Sequence, residues 1–173
     1  MFLKDTEIFY VKNFLSDENF AIIKDLFQSK HSEFLAKESS DNMWKSRNVY
    51  CPPPSALDIL HKYAAEIFSQ TFNGSDQLEL PHMLHRFYPG QTMQVHHDSG
   101  GDESISYGLV YYLNDDYVGG EIFYPELNIE IKPEANSLVI HPATLEYRHG
   151  VRDVVSGDRY TTTMFAYTKL PIV

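Results

Sequence analysis

Hydrophobic positions follow a helical spacing in the first part of the chain and a strand-like spacing after it. The segment EIFYVKNF (residues 7–14) predicts a first strand, and Ser16-Asp17 then has the form of a helix start. The apolar residues that follow share one helical face: Phe20, Ile22, Ile23, Leu26 and Phe27. A second helix is predicted from about residue 55 to 72, between the proline-rich CPPPS and the turn-forming NGSD. The polar stretch 31–46 has an ambiguous pattern.

From about residue 78 onward, short apolar segments alternate with turn residues. Short strands punctuated in this way are typical of an all-β sandwich or barrel. The sequence therefore predicts a mainly β fold with N-terminal helices, in which a jelly roll is buttressed by the helices. We expect a single domain over residues 1–173, with helical support in 1–77 and the jelly-roll core in 78–170.

Composition narrows the classes of partner. A net charge of −10 disfavours a nucleic acid or an anionic membrane as partner, because either would require a basic face. The single cysteine, Cys51, cannot form an internal disulfide, which fits a reducing cytoplasm. The N-terminal residues contain no long apolar run, so neither a signal peptide nor a membrane span is expected.

The candidate chemistry lies in QVHHDSG and EYRHGVRD, where His96, Asp98 and His149 form an H-x-D…H pattern. Two histidines and one carboxylate hold one face of Fe(II) and leave its other positions open. On a strand, residues i and i+2 share a face, so His96 and Asp98 can bind one ion while His97 points away. The same ligands also suit zinc, which leaves a zinc hydrolase as an alternative. A non-catalytic jelly-roll binding module that retains these residues is a second alternative.

Arg159 follows the third histidine by ten residues. Its guanidinium group has the planar fork that binds a carboxylate through two hydrogen bonds. Thr161 lies two residues further on, on the same face of a predicted strand, and is a candidate to add a hydroxyl to the same carboxylate.

Residues 80–168 resemble the 2-oxoglutarate and Fe(II)-dependent dioxygenases, in particular the prolyl 4-hydroxylase-like family. The shared motifs are RFYPGQ, HHD, YYLNDDYVGGEIFYP, IKPEANSLVIHP and HGVRDVVSGDRYTTTMF. The resemblance implies a double-stranded β-helix, a jelly-roll variant, with iron bound by His96, Asp98 and His149. It also implies that Arg159 anchors the cosubstrate 2-oxoglutarate and that Tyr112 donates a hydrogen bond to the same carboxylate.

The chain departs from the family pattern at three positions. Met93 stands where the family often has a tyrosine near the cosubstrate, which affects the contacts on that side of the pocket. Arg159 replaces a lysine that is common in the family, although the oxygen-sensing branch uses arginine. Phe165 stands where some members have tryptophan.

The resemblance implies hydroxylation of prolyl residues in a peptide or protein, coupled to decarboxylation of 2-oxoglutarate to succinate, with ascorbate as a candidate reductant. Free proline, another amino acid or a small metabolite is the alternative substrate. Candidate substrate contacts are Tyr88, Trp44 and Arg148, and the Gly-rich loop 99–104 is predicted to act as a lid. His97 is predicted to be a core or surface residue. Three further strand histidines are predicted to be structural: His82, His85 and His141.

Overall fold

Antiparallel β-sheet dominates the computed structural model, which describes residues 1–37, 44–45, 47–72, 77–81 and 83–168. Two α-helices lie in the described residues, α1 (Asp17–Ser29) and α2 (Asp58–Phe72). The early strands there are β1 (Phe9–Val11), β2 (Leu35–Lys37), β3 (Trp44–Lys45), β4 (Arg47–Tyr50), β5 (Gln77–Leu78), β6 (Leu84–Phe87) and β7 (Thr92–His96). The later ones are β8 (Ile105–Tyr112), β9 (Val118–Gly119), β10 (Ile122–Tyr124), β11 (Ile129–Ile131), β12 (Ser137–Pro142), β13 (His149–Val151), β14 (Val154–Ser156) and β15 (Arg159–Tyr167).

Both helices form where the sequence predicts them. The Ser16 side chain accepts a hydrogen bond from the Asn19 main-chain nitrogen at 3.4 Å and caps α1, whose first turn is acidic. A single 3₁₀ turn, Pro54–Leu57, follows the prolines and leads into α2. Within the described residues, no helix is long and apolar enough to cross a membrane.

The strands build two main sheets. The larger has the order β1-β12-β8-β15-β6-β4-β2, with β5 paired to β15, and the smaller has the order β11-β10-β13-β7-β3. Every pairing in both sheets is antiparallel. A separate two-stranded ribbon joins β14 to β9.

Alternation along β8 separates the two sides of the large sheet. Tyr111 packs outward in a cluster with the helical residues Ile23, Phe27 and Leu60, whereas Tyr112 packs inward with Ile122 of the small sheet. The helices therefore cover the outer face of the large sheet, and its inner face looks onto the small sheet. This arrangement confirms the predicted jelly roll with buttressing helices.

The N-terminal region is less purely helical than predicted. β1, β2 and β4 all belong to the large sheet, and β3 pairs with β7 of the small one. These strands are two to four residues long, too short to display a period of two in the sequence. The position of these strands is therefore set by main-chain pairing to a neighbouring strand, and not by their own side-chain pattern.

Asn136 connects the start of α1 to the large sheet. Its side chain accepts from the Leu15 nitrogen at 3.0 Å and donates to the Leu15 oxygen at 2.8 Å. The Tyr111 hydroxyl donates to the same amide oxygen at 3.2 Å. The residue is buried and has a φ of 57°, a left-handed conformation that asparagine tolerates better than most residues.

Candidate metal centre and adjoining cavity

Three side chains from two paired strands and the turn beyond one of them meet at one point, and we refer to His96, Asp98 and His149 as the His-Asp-His group. His96 ends β7, His149 begins β13, and the two residues are directly opposite in the pairing of these strands. Their Nε2 atoms lie 3.5 and 3.7 Å from Asp98 Oδ1. Each residue offers one ligand atom within 4.8 Å of the other two, a spacing that one metal ion can bridge.

A β-bulge in β7 aims two of its side chains inward. Met93 pairs with Val151 and His96 pairs with His149, so three steps on β7 oppose two on β13. The extra residue leaves Gln94 and Val95 exposed in succession while both flanking side chains line the cavity.

Asp98 lies beyond the end of β7, in the following turn. The expectation that His96 and Asp98 share a face of one strand is therefore wrong, because the strand stops at His96. The turn nevertheless brings the carboxylate to the histidines. His97 is outside the His-Asp-His group: its Nδ1 lies 2.6 Å from the Ser99 hydroxyl oxygen, although the residue does contribute to the cavity wall.

The protonation states suit a metal. Burial, together with the neighbouring His141, lowers the pKa of His149 to about 3, so its imidazole is neutral at physiological pH. Burial alone would raise the pKa of Asp98, but its histidine neighbours, His149 first, outweigh this effect and hold the pKa well below its usual range. Neutral imidazole and ionised carboxylate are the forms that bind metal ions.

His141, predicted from the sequence to be structural, lies beside the His-Asp-His group. It is fully buried, and its Nε2 lies 2.9 Å from Asp98 Oδ2. Gly108 pairs with His141 across β8 and β12, and a Cβ at Gly108 would lie 1.8 Å from Asp98 Oδ2. A glycine in a strand interior often marks a close approach of another group, which is the sequence signal that could have revealed this contact.

A cavity of about 310 Å³ extends from the His-Asp-His group into the space between the sheets. Arg159 lines it and is only 2% exposed, with its guanidinium 5.1 Å from the Tyr112 ring centre and 5.3 Å from that of Phe87. Its Nε donates to the Gly120 oxygen at 3.0 Å. Thr161 also lines the cavity and is buried. The structure thus brings together all three residues predicted to bind the cosubstrate.

Two buried hydroxyl groups lie near Arg159. Tyr112 Oη and Tyr117 Oη are buried and have no hydrogen-bond partner in the described part of the chain. Burial raises the pKa of both phenols, and the positive charge of Arg159 opposes this rise. A buried hydroxyl without a partner costs about 1–3 kcal/mol, which a bound carboxylate would recover. Of the two tyrosines, Tyr112 is the one that lines the cavity.

Two of the three predicted substrate residues, Tyr88 and Arg148, lie outside the wall of this cavity. Tyr88 does not line the cavity, and its ring packs against the guanidinium of Arg86 at 4.2 Å. Arg148 is exposed, and its Nε donates to Glu126 Oε1 at 2.9 Å. The Trp44 main chain pairs with Met93, but its side chain lies outside the described part of the structure, as does His82.

The fold and the His-Asp-His group agree with a family comparison. Residues 82–167 match the family model of the 2OG-Fe(II) oxygenase superfamily, and this segment contains the His-Asp-His group, Tyr112, Arg159 and Thr161. Residues 82–167 are therefore identified as a 2OG-Fe(II) oxygenase domain.

Among individual proteins, the chain is similar to one named "Putative prolyl 4-hydroxylase" from Acanthamoeba polyphaga mimivirus. The two are 26% identical over 150 residues, which cover 73% of this chain and 57% of the viral protein. The chain thus spans little more than half the length of that relative.

Solved structures of prolyl hydroxylases share the fold. One, from Trichoplax adhaerens in complex with a hypoxia inducible factor oxygen degradation domain peptide, has a TM-score of 0.77 and 17% identity, covering 96% of this chain and 86% of that one. The viral collagen prolyl hydroxylase of Paramecium Bursaria Chlorella virus-1, in complex with 2OG, has a TM-score of 0.71 and 17% identity, covering 95% and 98%.

Proposed function

We propose that this protein hydroxylates prolyl residues in a peptide or protein, using Fe(II), 2-oxoglutarate and oxygen, and that it releases succinate and CO2. The observation that supports this most directly is the placement of the His-Asp-His group and Arg159 on the walls of one cavity. A metal site and a carboxylate site in the same enclosure match the two groups that 2-oxoglutarate would present, a chelating end and a distal carboxylate.

His96, Asp98 and His149 would hold the iron, and their three ligand atoms leave its other positions open. Bound Fe(II), with 2-oxoglutarate and oxygen, supplies the oxidant that replaces a substrate C–H bond by C–OH, and the protein contributes binding and orientation. Ascorbate is the proposed reductant that keeps the iron in its ferrous state.

Arg159 would bind the distal carboxylate of 2-oxoglutarate. Because its Nε is held by Gly120, the terminal nitrogens of this buried side chain remain for a charge-assisted pair with the carboxylate. The Tyr112 hydroxyl would donate a further hydrogen bond to the same carboxylate. Thr161 follows Arg159 by two residues in β15 and lines the same cavity, so its hydroxyl is a second candidate donor. Met93, on the small sheet, contributes an apolar wall and offers no hydroxyl.

The loop from Ser99 to Ser104 would close over the substrate. The loop is anchored at both ends, since the Ser99 nitrogen donates to the Ala143 oxygen at 3.2 Å and the Ser104 oxygen accepts from the Thr168 nitrogen at 2.9 Å. Between the anchors, Gly100 and Gly101 have positive φ values, and Gly100 reaches the cavity wall. This placement puts the loop beside the metal centre, where a peptide substrate would enter.

The names of the similar proteins favour a prolyl residue as substrate. The test is succinate release by the purified protein with Fe(II) and 2-oxoglutarate, measured across a panel of proline-containing peptides, free proline and other amino acids. Mass spectrometry should show one added oxygen atom on a peptidyl proline. Stimulation by free proline alone would instead favour the small-molecule alternative.

Oxygen-independent hydrolysis with zinc would point to a hydrolase, a reaction in which Arg159 has no evident role. Absence of turnover with every substrate and metal would leave a non-catalytic binding module. His149→Ala is the inactive control for the hydroxylation assay, since it removes one of the three ligand side chains.

A further inference from the structure

The two oxygens of the Asp98 carboxylate have different surroundings. Oδ1 faces His96 and His149, at 3.5 and 3.7 Å from their Nε2 atoms. Oδ2 is turned the other way and lies 2.9 Å from Nε2 of His141. One oxygen is thus directed to the other members of the His-Asp-His group, and the second is held by the protein.

Asp98 and Tyr124 flank the two ring nitrogens of His141 and together fix which one carries the proton. The Tyr124 hydroxyl lies 2.9 Å from His141 Nδ1, and both of these side chains are fully buried. The Asp98 carboxylate can only accept, so the Nε2 that faces it carries the ring proton, and Nδ1 is left to accept from the Tyr124 hydroxyl. His141 is therefore set to donate to Asp98 through a chain that runs from Tyr124 to the carboxylate.

Gly108 provides the space for this contact. A Cβ built there would lie 1.8 Å from Asp98 Oδ2 and 2.8 Å from His141 Nε2. No side chain fits at this position without moving the carboxylate or the imidazole. The hydrogen bond and the glycine therefore form one arrangement, built from the neighbouring strands β8 and β12.

We infer that His141, whose second ring nitrogen is held by Tyr124, is a positioning residue that holds the Asp98 carboxylate with Oδ1 toward the metal. This inference rests on the proposed function, since it takes Asp98 to be a metal ligand. Asp98 begins a turn and has no strand to orient it, so a hydrogen bond from a rigid neighbouring strand supplies the missing constraint. Partners behind a ligand typically change metal affinity about 10–100-fold when removed.

The test is Co(II) binding to the metal-free protein, followed by calorimetry and by the visible absorption of the bound ion. His141→Leu should weaken Co(II) binding about 10–100-fold and alter the absorption spectrum. His141→Gln should recover most of the affinity, because its amide can still donate near the position of Nε2. The matched control is His61→Gln on α2, where the imidazole bonds to the Leu78 oxygen, far along the chain from the ligands. It should bind Co(II) as the unmodified protein does.

Unchanged Co(II) affinity and spectrum in His141→Leu would overturn the inference, as would equal losses in the leucine and glutamine variants with the fold intact by circular dichroism. If His141→Leu fails to fold, Tyr124→Phe decides: weaker binding supports the inference, and unchanged binding overturns it. A different result would contradict the proposed function itself: His149→Ala would then bind Co(II) as tightly as the unmodified protein.

Discussion

Nε of Arg159 donates to the main-chain oxygen of Gly120 at 3.0 Å, and this bond fixes the guanidinium group in the cavity. A Cβ at Gly120 would come within 2.9 Å of Arg159 Cδ, so the arginine stem passes directly over the glycine. Gly120, which directly follows β9, thus helps to orient the proposed anchor.

Arg159→Ala should weaken 2-oxoglutarate binding by about 2–5 kcal/mol, because it removes one partner of a buried, charge-assisted pair. Arg159→Lys should lose less, since it retains a positive charge but lacks the planar fork and the bond to Gly120. Calorimetric titration with 2-oxoglutarate in the presence of Co(II) measures both. Arg152→Ala removes an exposed arginine paired with Glu130 and serves as the control. Equal affinity in Arg159→Ala and this control would place the anchor elsewhere.

Tyr112→Phe should weaken 2-oxoglutarate binding by about 1 kcal/mol, the usual contribution of one hydrogen bond. Tyr117→Phe is the matched control, because its hydroxyl is also buried near Arg159 but does not line the cavity. The same titration compares the two variants. A loss confined to Tyr117→Phe would reverse the roles assigned to the two tyrosines.

His149→Ala should abolish turnover and leave the fold intact. Co(II) added to the unmodified protein should raise its melting temperature, because the ion binds the folded state and not the unfolded chain. The variant should lose this rise, whereas His97→Ala, which removes a neighbouring imidazole outside the His-Asp-His group, should keep it. Differential scanning fluorimetry with and without Co(II) gives the comparison, and an undiminished rise in His149→Ala would contradict the assignment.

Asn136→Gly should lower the free energy of unfolding by about 3 kcal/mol. The reason is that it leaves the Leu15 main-chain nitrogen and oxygen and the Tyr111 hydroxyl without their hydrogen-bond partner. Asn136→Ala should lose about 1 kcal/mol more, since alanine is strained at the φ of 57° and glycine is not. Tyr111→Phe removes one of the three hydrogen bonds and should cost about 1 kcal/mol. Urea denaturation measures the series, and a common value for all three variants would argue against this account.

Deleting residues 100–103, between the anchored Ser99 and Ser104, should reduce peptide hydroxylation more than the uncoupled conversion of 2-oxoglutarate to succinate. The reason is that the loop would contact the substrate while the metal and cosubstrate residues stay in place. Parallel measurement of hydroxylated peptide and of succinate without peptide gives the ratio. Equal decreases in both would mean that the loop supports the metal centre instead.

The sequence predicted those elements whose pattern of residues extends over a long segment. Helices α1 and α2 have long apolar faces and clear ends, and the spacing of His96, Asp98 and His149 identified a group that does converge. The short strands β2 and β3 carry no comparable pattern, because their pairing depends on β4 and β7.

His141 and Tyr124 were missed for a different reason. Their contact with Asp98 depends on the register between β8 and β12, which places Gly108 beside His141, and no spacing along the chain encodes that register. The substrate candidates Tyr88 and Arg148 were chosen for their proximity in sequence to the motifs. Each has a partner outside the cavity, Arg86 for Tyr88 and Glu126 for Arg148.

The bulge in β7 makes chain length, and not only residue identity, a requirement of the site. Met93 and His96 both face inward because one additional residue stands between them compared with the facing strand. Removing a single residue, Gln94 or Val95, would place Met93 and His96 two residues apart, the spacing at which regular alternation keeps both on one face. Removing both residues would make Met93 and His96 neighbours and place them on opposite faces. Gln94 and Val95 should therefore accept most substitutions and the loss of either one, but not the loss of both.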